Sequence, residues 1–418
     1  MRFSVLEPSY PPTMRRVGCL ALVLGSLACG DDGTPVVPPT SDAATLTDAA
    51  DAADTGPTPT DGSIPPPSGL WSMGYYAGYE LAKYPVTEID WSGLTHLAVA
   101  FYLPDTKGGL DESIFQGAVD GPKLGHALVA AAHAAGKKAI ASVGGAGMHD
   151  NLVASASTAN RAAFVARIKK LVADYAYDGV DIDWEPVVTA DAASLEALAK
   201  DLRTAIPGTL LTIPVSTVNH NLKEDLSWVP KIAAVFDQFN LMSYSMAGAY
   251  QGWKSWHASP LHWNSDGTTP TGIDDSVDAF LAAGVPATKL GVGSGFYGLC
   301  YTAPVTAPVQ ALGASTIKAS DGAMAYSAIM ATYWTAGGAK WDDAAKVPYL
   351  TFAQPTGPQG CSYVTYEDAQ SLTAKGAYAK SKKLGGLIIW TINQGYVAGA
   401  APGQRNPLLE AIKTAFLQ

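Results

Sequence analysis

Eight short apolar runs recur between residues 70 and 418, separated by longer amphipathic or mixed stretches. This alternation restricts the fold more than any other feature. The runs are Trp71–Ala77, Leu94–Tyr102, Lys138–Val143, Gly179–Glu185, Leu210–Ser216, Phe236–Tyr244, Leu290–Gly295 and Gly386–Ile392. Their length and flanking turn residues suit buried strands. Over 158–176, by contrast, Phe164, Ile168, Leu171, Val172 and Tyr175 fall on one face at helical spacing. A second such stretch, 366–383, opens on an acidic pair that suits the positive end of a helix. A third begins at Asn406-Pro407, an N-cap followed by a first-turn proline. Strands alternating with helices in this number predict an α/β chain closed as a (β/α)8 TIM barrel. A doubly wound sheet is the competing arrangement, but no GxGxxG follows any of the strands.

One connection is too long for this rhythm. From about 299 to 385 the seventh and eighth strands are separated by a segment with a helical pattern at Asp321–Trp334. It also has strand-like pieces near Tyr349–Phe352 and Tyr363–Tyr366, and holds Cys300 and Cys361. A small α+β insertion on the barrel's C-terminal rim is expected. In an oxidising exterior a Cys300–Cys361 bridge would close it at its base, two separate thiols being the alternative.

The N-terminal 69 residues read differently. Arg15 and Arg16 precede the apolar run Val17–Leu27, which ends in Ala28-Cys29-Gly30. That pattern describes a signal peptide over 1–29, too short to span a bilayer. It also resembles a bacterial lipoprotein signal, which would leave Cys29 lipidated and anchor the chain to a membrane. Glu7 and three prolines in residues 1–13 fit poorly inside such a signal, so Met14 is a candidate start. Residues 30–69 hold eight Pro, seven Asp and no Lys or Arg, an extended and self-repelling linker. The chain's net charge of −10 is therefore mostly a linker property, and residues 70–418 carry −5. An acidic chain has no general attraction for phosphate backbones, which argues against nucleic acid as a partner.

The most informative segment is Asp178-Gly179-Val180-Asp181-Ile182-Asp183-Trp184-Glu185. Side chains alternate along a strand, so Asp181, Asp183 and Glu185 share one face while Val180 and Ile182 share the other. In a barrel the apolar set packs on the helices, which turns the three carboxylates into the lumen. Crowded, buried like charges hold at least one proton at neutral pH. A protonated carboxyl at the C-terminal end of a strand is what a general acid requires, and Glu185 is nearest the mouth. A hard-metal site is the alternative, although Ca²⁺ and Mg²⁺ usually gather ligands from several loops. No cofactor motif is visible.

The same segment resembles the DxxDxDxE signature of glycoside hydrolase family 18, the chitinase family. Further matches occur in order: Gly74-Tyr75-Tyr76, Ser142-Val143-Gly144-Gly145, Met242-Ser243-Tyr244, Gly295-Phe296-Tyr297-Gly298, and Gly385-Gly386 through Trp390. The resemblance covers about residues 70–418. It implies retaining hydrolysis without a carboxylate nucleophile, the substrate's own 2-acetamido oxygen attacking the anomeric carbon. Glu185 would protonate the leaving oxygen and later activate water. Asp183 would orient the acetamido N–H, and Asp181 would share a proton with Asp183, helped by Tyr75 and Ser142. Tyr244 would donate to the acetamido oxygen, and Trp390 would floor the sugar pocket. Met242, Ser245, Tyr297 and Tyr250 complete the implied substrate side, Tyr297 and Tyr250 as platforms.

Tyr76, Trp253, Trp256, Trp263, Trp334 and Trp341 serve packing or sugar stacking with equal merit, and His257 reads as structural. Four positions depart from the family pattern. Ser245 stands where Asp is frequent, Ala146 where many members carry Trp, Leu299 where Arg often follows, and Pro186 where Tyr is commoner. The expected activity is that of a monomeric, exported chitinase acting on poly-N-acetylglucosamine. Cleavage of peptidoglycan or N-glycan cores is the first alternative, and a non-catalytic chitin-binding lectin the second.

Overall fold

The computed structural model describes residues 70–220, 225–263 and 269–418. The expected signal segment, Cys29 and the linker lie outside the described residues. Eight parallel strands form the centre: β1 (Trp71–Ala77), β2 (His96–Pro104), β4 (Lys138–Gly144), β5 (Gly179–Asp183), β6 (Leu210–Val215), β7 (Gln238–Leu241), β8 (Leu290–Gly295) and β14 (Gly386–Trp390). Each pairs with its neighbour in the ring, and β1 bonds to both β14 and β2, so the sheet closes. A two-residue β3 (Leu110–Asp111) extends β2 antiparallel. The chain thus has the TIM-barrel architecture that its strand–helix alternation predicts.

The period-2 and period-3.6 patterns decide which faces are covered. Val180 and Ile182 on β5 are fully buried against the outer helices. On α3 (Arg161–Tyr175), Phe164, Ile168, Leu171 and Tyr175 are buried on the same contact face. Helices α1 (Gly117–Ala134), α4 (Ala192–Ala205) and α6 (Ile273–Ala282) add further apolar stripes, and the short α2 (His149–Ser155) and α5 (Val229–Ala233) fill the ring. Inside the barrel Trp71, Met73, Ile140, Leu210 and Ile388 form a separate apolar cluster. It closes the lumen below the polar layer.

Between β8 and β14 the chain builds a second sheet. Its strands are β9 (Leu299–Tyr301), β10 (Ile317–Ala319), β11 (Ala339–Asp342), β12 (Val347–Thr356) and β13 (Cys361–Thr365), in the order β10-β9-β13-β12-β11. All its pairings are antiparallel. With α7 (Tyr326–Thr332) it forms the α+β insertion. The helical pattern of Asp321–Trp334 shortens to α7 because 321–324 form turns ahead of it and Ala325 bridges to Tyr297. Cys300 and Cys361 are disulfide-bonded across the neighbouring strands β9 and β13. Helix α8 (Ala369–Ser381), capped by Asp368, returns the chain to the barrel, and α9 (Ile392–Gly395) and α10 (Pro407–Ile412) follow β14.

Candidate active site

Alternation along β5 turns Asp181 and Asp183 into the lumen, where they are 0% and 3% exposed. Three hydroxyls from three other strands converge on Asp181. Tyr75 of β1 donates to Oδ2 at 2.8 Å and Ser142 of β4 to the same oxygen at 2.9 Å. Thr212 of β6 donates to Oδ1 at 2.5 Å. Burial raises the Asp181 carboxyl above its ordinary value, and bonds from Thr212, Tyr75 and Ser142 oppose that rise. Three donors with no protein acceptor other than this carboxylate favour its ionised form.

Asp183 is held differently. Burial, then the negative charges of Glu185 and Asp181, push it well above the usual carboxylate range. Its carboxyl hydrogen-bonds that of Glu185, just beyond the strand's end. Asp181, Asp183 and Glu185 are all raised, so the cluster as a whole keeps a proton to higher pH than isolated carboxyls would. Tyr75 and Ser142, the two helpers that the family resemblance implies for Asp181, both reach its Oδ2. Glu185 is itself raised, mainly by burial, with the Asp183 hydrogen bond opposing. Asp183 Oδ1 is buried and meets no hydrogen-bond partner in the protein.

Close approach of β4 to β5 depends on the Gly144-Gly145 pair. A Cβ on Gly144 would lie 2.2 Å from the Asp183 carbonyl oxygen, and the Gly144 backbone has φ 120°. Gly145 N–H donates to that same carbonyl at 2.8 Å.

Aromatic side chains flank the acids. Trp390, at the end of β14, is half-buried, stacks on Phe101 at 5.5 Å and lies 5.6 Å from the ring of Tyr75. Tyr244 follows β7 and is close enough for Glu185 and Asp183 to raise its hydroxyl further above the value set mainly by burial. Met242 packs with Tyr244 and Trp390 against the lumen cluster. Tyr297 is 4% exposed, edge-on to Tyr244, with its hydroxyl 2.5 Å from Ser245 Oγ. It therefore backs Tyr244 and offers no open platform. Tyr250 is 45% exposed beside Trp253 and does offer an open ring. Of the other rim aromatics, Tyr76 and Trp256 belong to the core, and Trp334 is exposed on the insertion. Leu299 is buried in the insertion's own core with Tyr301 and Tyr363. His257 is buried between Asp342 at 2.9 Å and the Tyr363 hydroxyl at 3.0 Å, a tie within the insertion's attachment.

Three contributors escaped the sequence reading. Thr212 gives no signal, since a hydroxyl on an apolar strand is ordinary. Phe101 is hidden in a continuous apolar run. Asp321, in the turn before α7, accepts from Trp390 Nε1 at 2.9 Å and from Gln394. Gln394 and Thr391 in turn bond the buried Glu80. The insertion thus fixes the orientation of the Trp390 indole. Asp321 also brings negative charge near Tyr244 and Tyr297, on the side where Ser245 supplies none. Among the described residues, no three of His, Cys, Asp or Glu are arranged to hold a metal ion.

The whole lumen mouth, from β1 to the end of β14, falls within a sequence match to the model of glycosyl hydrolases family 18, which covers residues 72–395. Chitinase A1 of Niallia circulans is 29% identical over 65% of this chain, and Endochitinase of Manduca sexta is 26% identical over 79%. The chain spans 41% and 64% of those relatives' own lengths. The Group IV chitinase of Ostrinia furnacalis, solved in complex with allosamidin, superposes with a TM-score of 0.70. It is 25% identical, over 82% of this chain and 98% of that one. On the fold, the carboxylate strand and the extent of this match, the chain belongs to glycosyl hydrolases family 18.

Proposed function

We propose that the chain is a chitinase, hydrolysing β-1,4 linkages between N-acetylglucosamine units with retention and with help from the substrate's own acetamido group. The observation that carries the reading is a pair of buried carboxyls, Asp183 and Glu185, both held above their ordinary values at a lumen that also holds the half-buried Trp390. A carboxyl held above its ordinary value supplies an acid at the leaving oxygen, and Glu185, just past the strand's end, is the outer of the two. The buried Asp183 Oδ1, unpartnered among the described residues, is an acceptor for an amide N–H, and the Tyr244 hydroxyl, within electrostatic reach of Asp183 and Glu185, is a donor for an amide oxygen. An N-acetyl group offers an N–H to the first and an oxygen to the second. Trp390 gives a neutral sugar ring an apolar face.

Cleavage of N-acetylglucosamine linkages in peptidoglycan or N-glycan cores is the second reading, favoured by the small Ala146 on the rim. Release of soluble sugars from colloidal chitin, peptidoglycan and a high-mannose glycopeptide, measured in parallel, separates them. Release from chitin is expected to lead, and release from peptidoglycan alone would sink the reading. Retention on chitin with no sugar released from any of the three would instead identify a lectin.

We further propose that the chain is exported, works as a monomer and is anchored through a lipid on Cys29. Support lies in Arg15-Arg16, the apolar run to Leu27 and the acidic linker that follows. Cys29→Ser is expected to move the protein from the membrane to the soluble fraction of its native host. Unchanged fractionation removes the anchor.

A further inference from the structure

Glu185 lies just past the end of β5, on a loop that must hold an acid still without the support of a strand ladder. One imidazole reaches both sides of that loop. His149, the first residue of α2 after the Gly144-Gly145 turn, meets the buried Trp184 edge-to-face at 6.4 Å, on the residue that precedes the acid. On the far side His149 Nε2 is 3.1 Å from Asp191 Oδ2. That same Asp191 oxygen accepts from Val188 N–H at 2.9 Å, and Asp191 N–H donates to the Val188 carbonyl at 2.9 Å. Residues 188–191 are thereby closed into a turn whose carboxylate is buried, with His149 as its side-chain counter-charge.

We propose that His149 is a positioning residue for Glu185, clamping the loop that carries the acid between Trp184 and Asp191. The proposal rests on the reading of Glu185 as the general acid. The groups facing the imidazole are Asp150 on its own helix, 3.0 Å from Nδ1, Asp191 on the turn after β5, and the uncharged Trp184. Only a doubly protonated ring can donate to both carboxylates. The two contacts are unequal. Asp150 is 98% exposed and adds little, whereas the Asp191 side chain is 7% exposed, so its charge is poorly screened. Burial pulls the imidazole toward neutrality, but hydrogen bonds to Asp150 and Asp191 outweigh it and raise its value. The clamp is therefore strongest at mildly acidic pH and weakens as pH rises through the raised imidazole value. Small displacements of a general acid cost rate more than binding, because the acid acts on the leaving oxygen only in the transition state.

The test is steady-state kinetics on soluble N-acetylchitooligosaccharides across pH, for wild type, His149→Ala, His149→Gln and Glu185→Gln, with melting temperatures alongside. His149→Ala is expected to lower kcat about tenfold with KM within about twofold. His149→Gln, which can still donate to Asp191 but never titrates, is expected to recover most of kcat and to flatten the part of the pH profile that the imidazole controls. It also serves as the reporter should the alanine variant fold poorly. Wild-type kcat in both variants overturns the proposal even if both melt lower. So does a change confined to KM. Activity surviving in Glu185→Gln overturns the reading of the acid instead, and the two failures are read from different variants.

Discussion

Glu185→Gln is expected to lower kcat about a thousandfold, the contribution of one well-placed general acid, with the barrel intact. Glutamine keeps the shape and can still hydrogen-bond Asp183, so only the transferable proton is lost. The pH dependence gives an independent reading. Asp183 and Glu185 are both raised above ordinary carboxyl values, by burial first. The acid form is needed at the leaving oxygen, so wild-type kcat should persist above the ordinary carboxyl range and fall as pH rises through the raised values of the two groups. Stability follows the same sign. Both carboxyls are protonated, folded or unfolded, below the ordinary carboxyl value, and there the site costs nothing. Between that value and the raised one the unfolded chain ionises first, which favours unfolding. Glu185→Gln removes one of these ionisations, so its melting temperature should match or exceed that of wild type at neutral pH, by a margin that grows with pH. Retention of wild-type turnover by the glutamine variant would end the assignment of Glu185 as the acid.

The largest stability effect is expected at Lys375. Its ammonium, 1% exposed on α8, pairs with the 2% exposed Glu367 that follows β13. It also donates to Ser259 Oγ at 2.6 Å. Ser259 in turn donates to the Ser243 carbonyl at 2.5 Å, one residue before Tyr244. Burial pulls the lysine below its ordinary range while Glu367 opposes, as expected of a cation whose desolvation is offset by one close partner. Lys375→Met strands the Glu367 carboxylate in the interior and is expected to cost about 3–5 kcal/mol. For a domain of this size that is a fall in Tm of roughly 10 °C. Replacing both partners, as Lys375→Met with Glu367→Leu, should recover most of the loss, since a well-packed apolar pair needs no counter-charge. Thermal melts of the two variants decide it: a single variant as stable as wild type would show that water reaches the pair. Because Ser259 links the lysine to the strand-end before Tyr244, the single variant should also lose turnover.

Much of this was readable in one dimension because it depends on local periodicity. The eight strands, the face carrying Phe164, Ile168 and Leu171, and the segregation of Asp181 and Asp183 from Val180 and Ile182 follow from spacings of 3.6 and 2. The family resemblance worked the same way, through residues contiguous on single strands. Element ends were less legible. Glu185 reads as part of its strand, yet pairing stops at Asp183 because the neighbouring β4 turns away at Gly144-Gly145.

What the tertiary structure decided was which distant groups meet. The resemblance implies that Tyr75 and Ser142 help Asp181, but only the closed barrel adds Thr212 from β6 and so occupies both carboxyl oxygens. That convergence sets Asp181 apart from Asp183, which burial and the charges of Glu185 and Asp181 push well above the usual carboxylate range. Tyr297 reads as a platform until the fold buries its ring against Tyr244 and Ser245, and Asp321 becomes part of the site only because the insertion folds back onto Trp390. A strand's alternation says which side a carboxylate faces. Its protonation depends on desolvation and on hydrogen-bond donors brought from other strands, and those exist only once the barrel has closed.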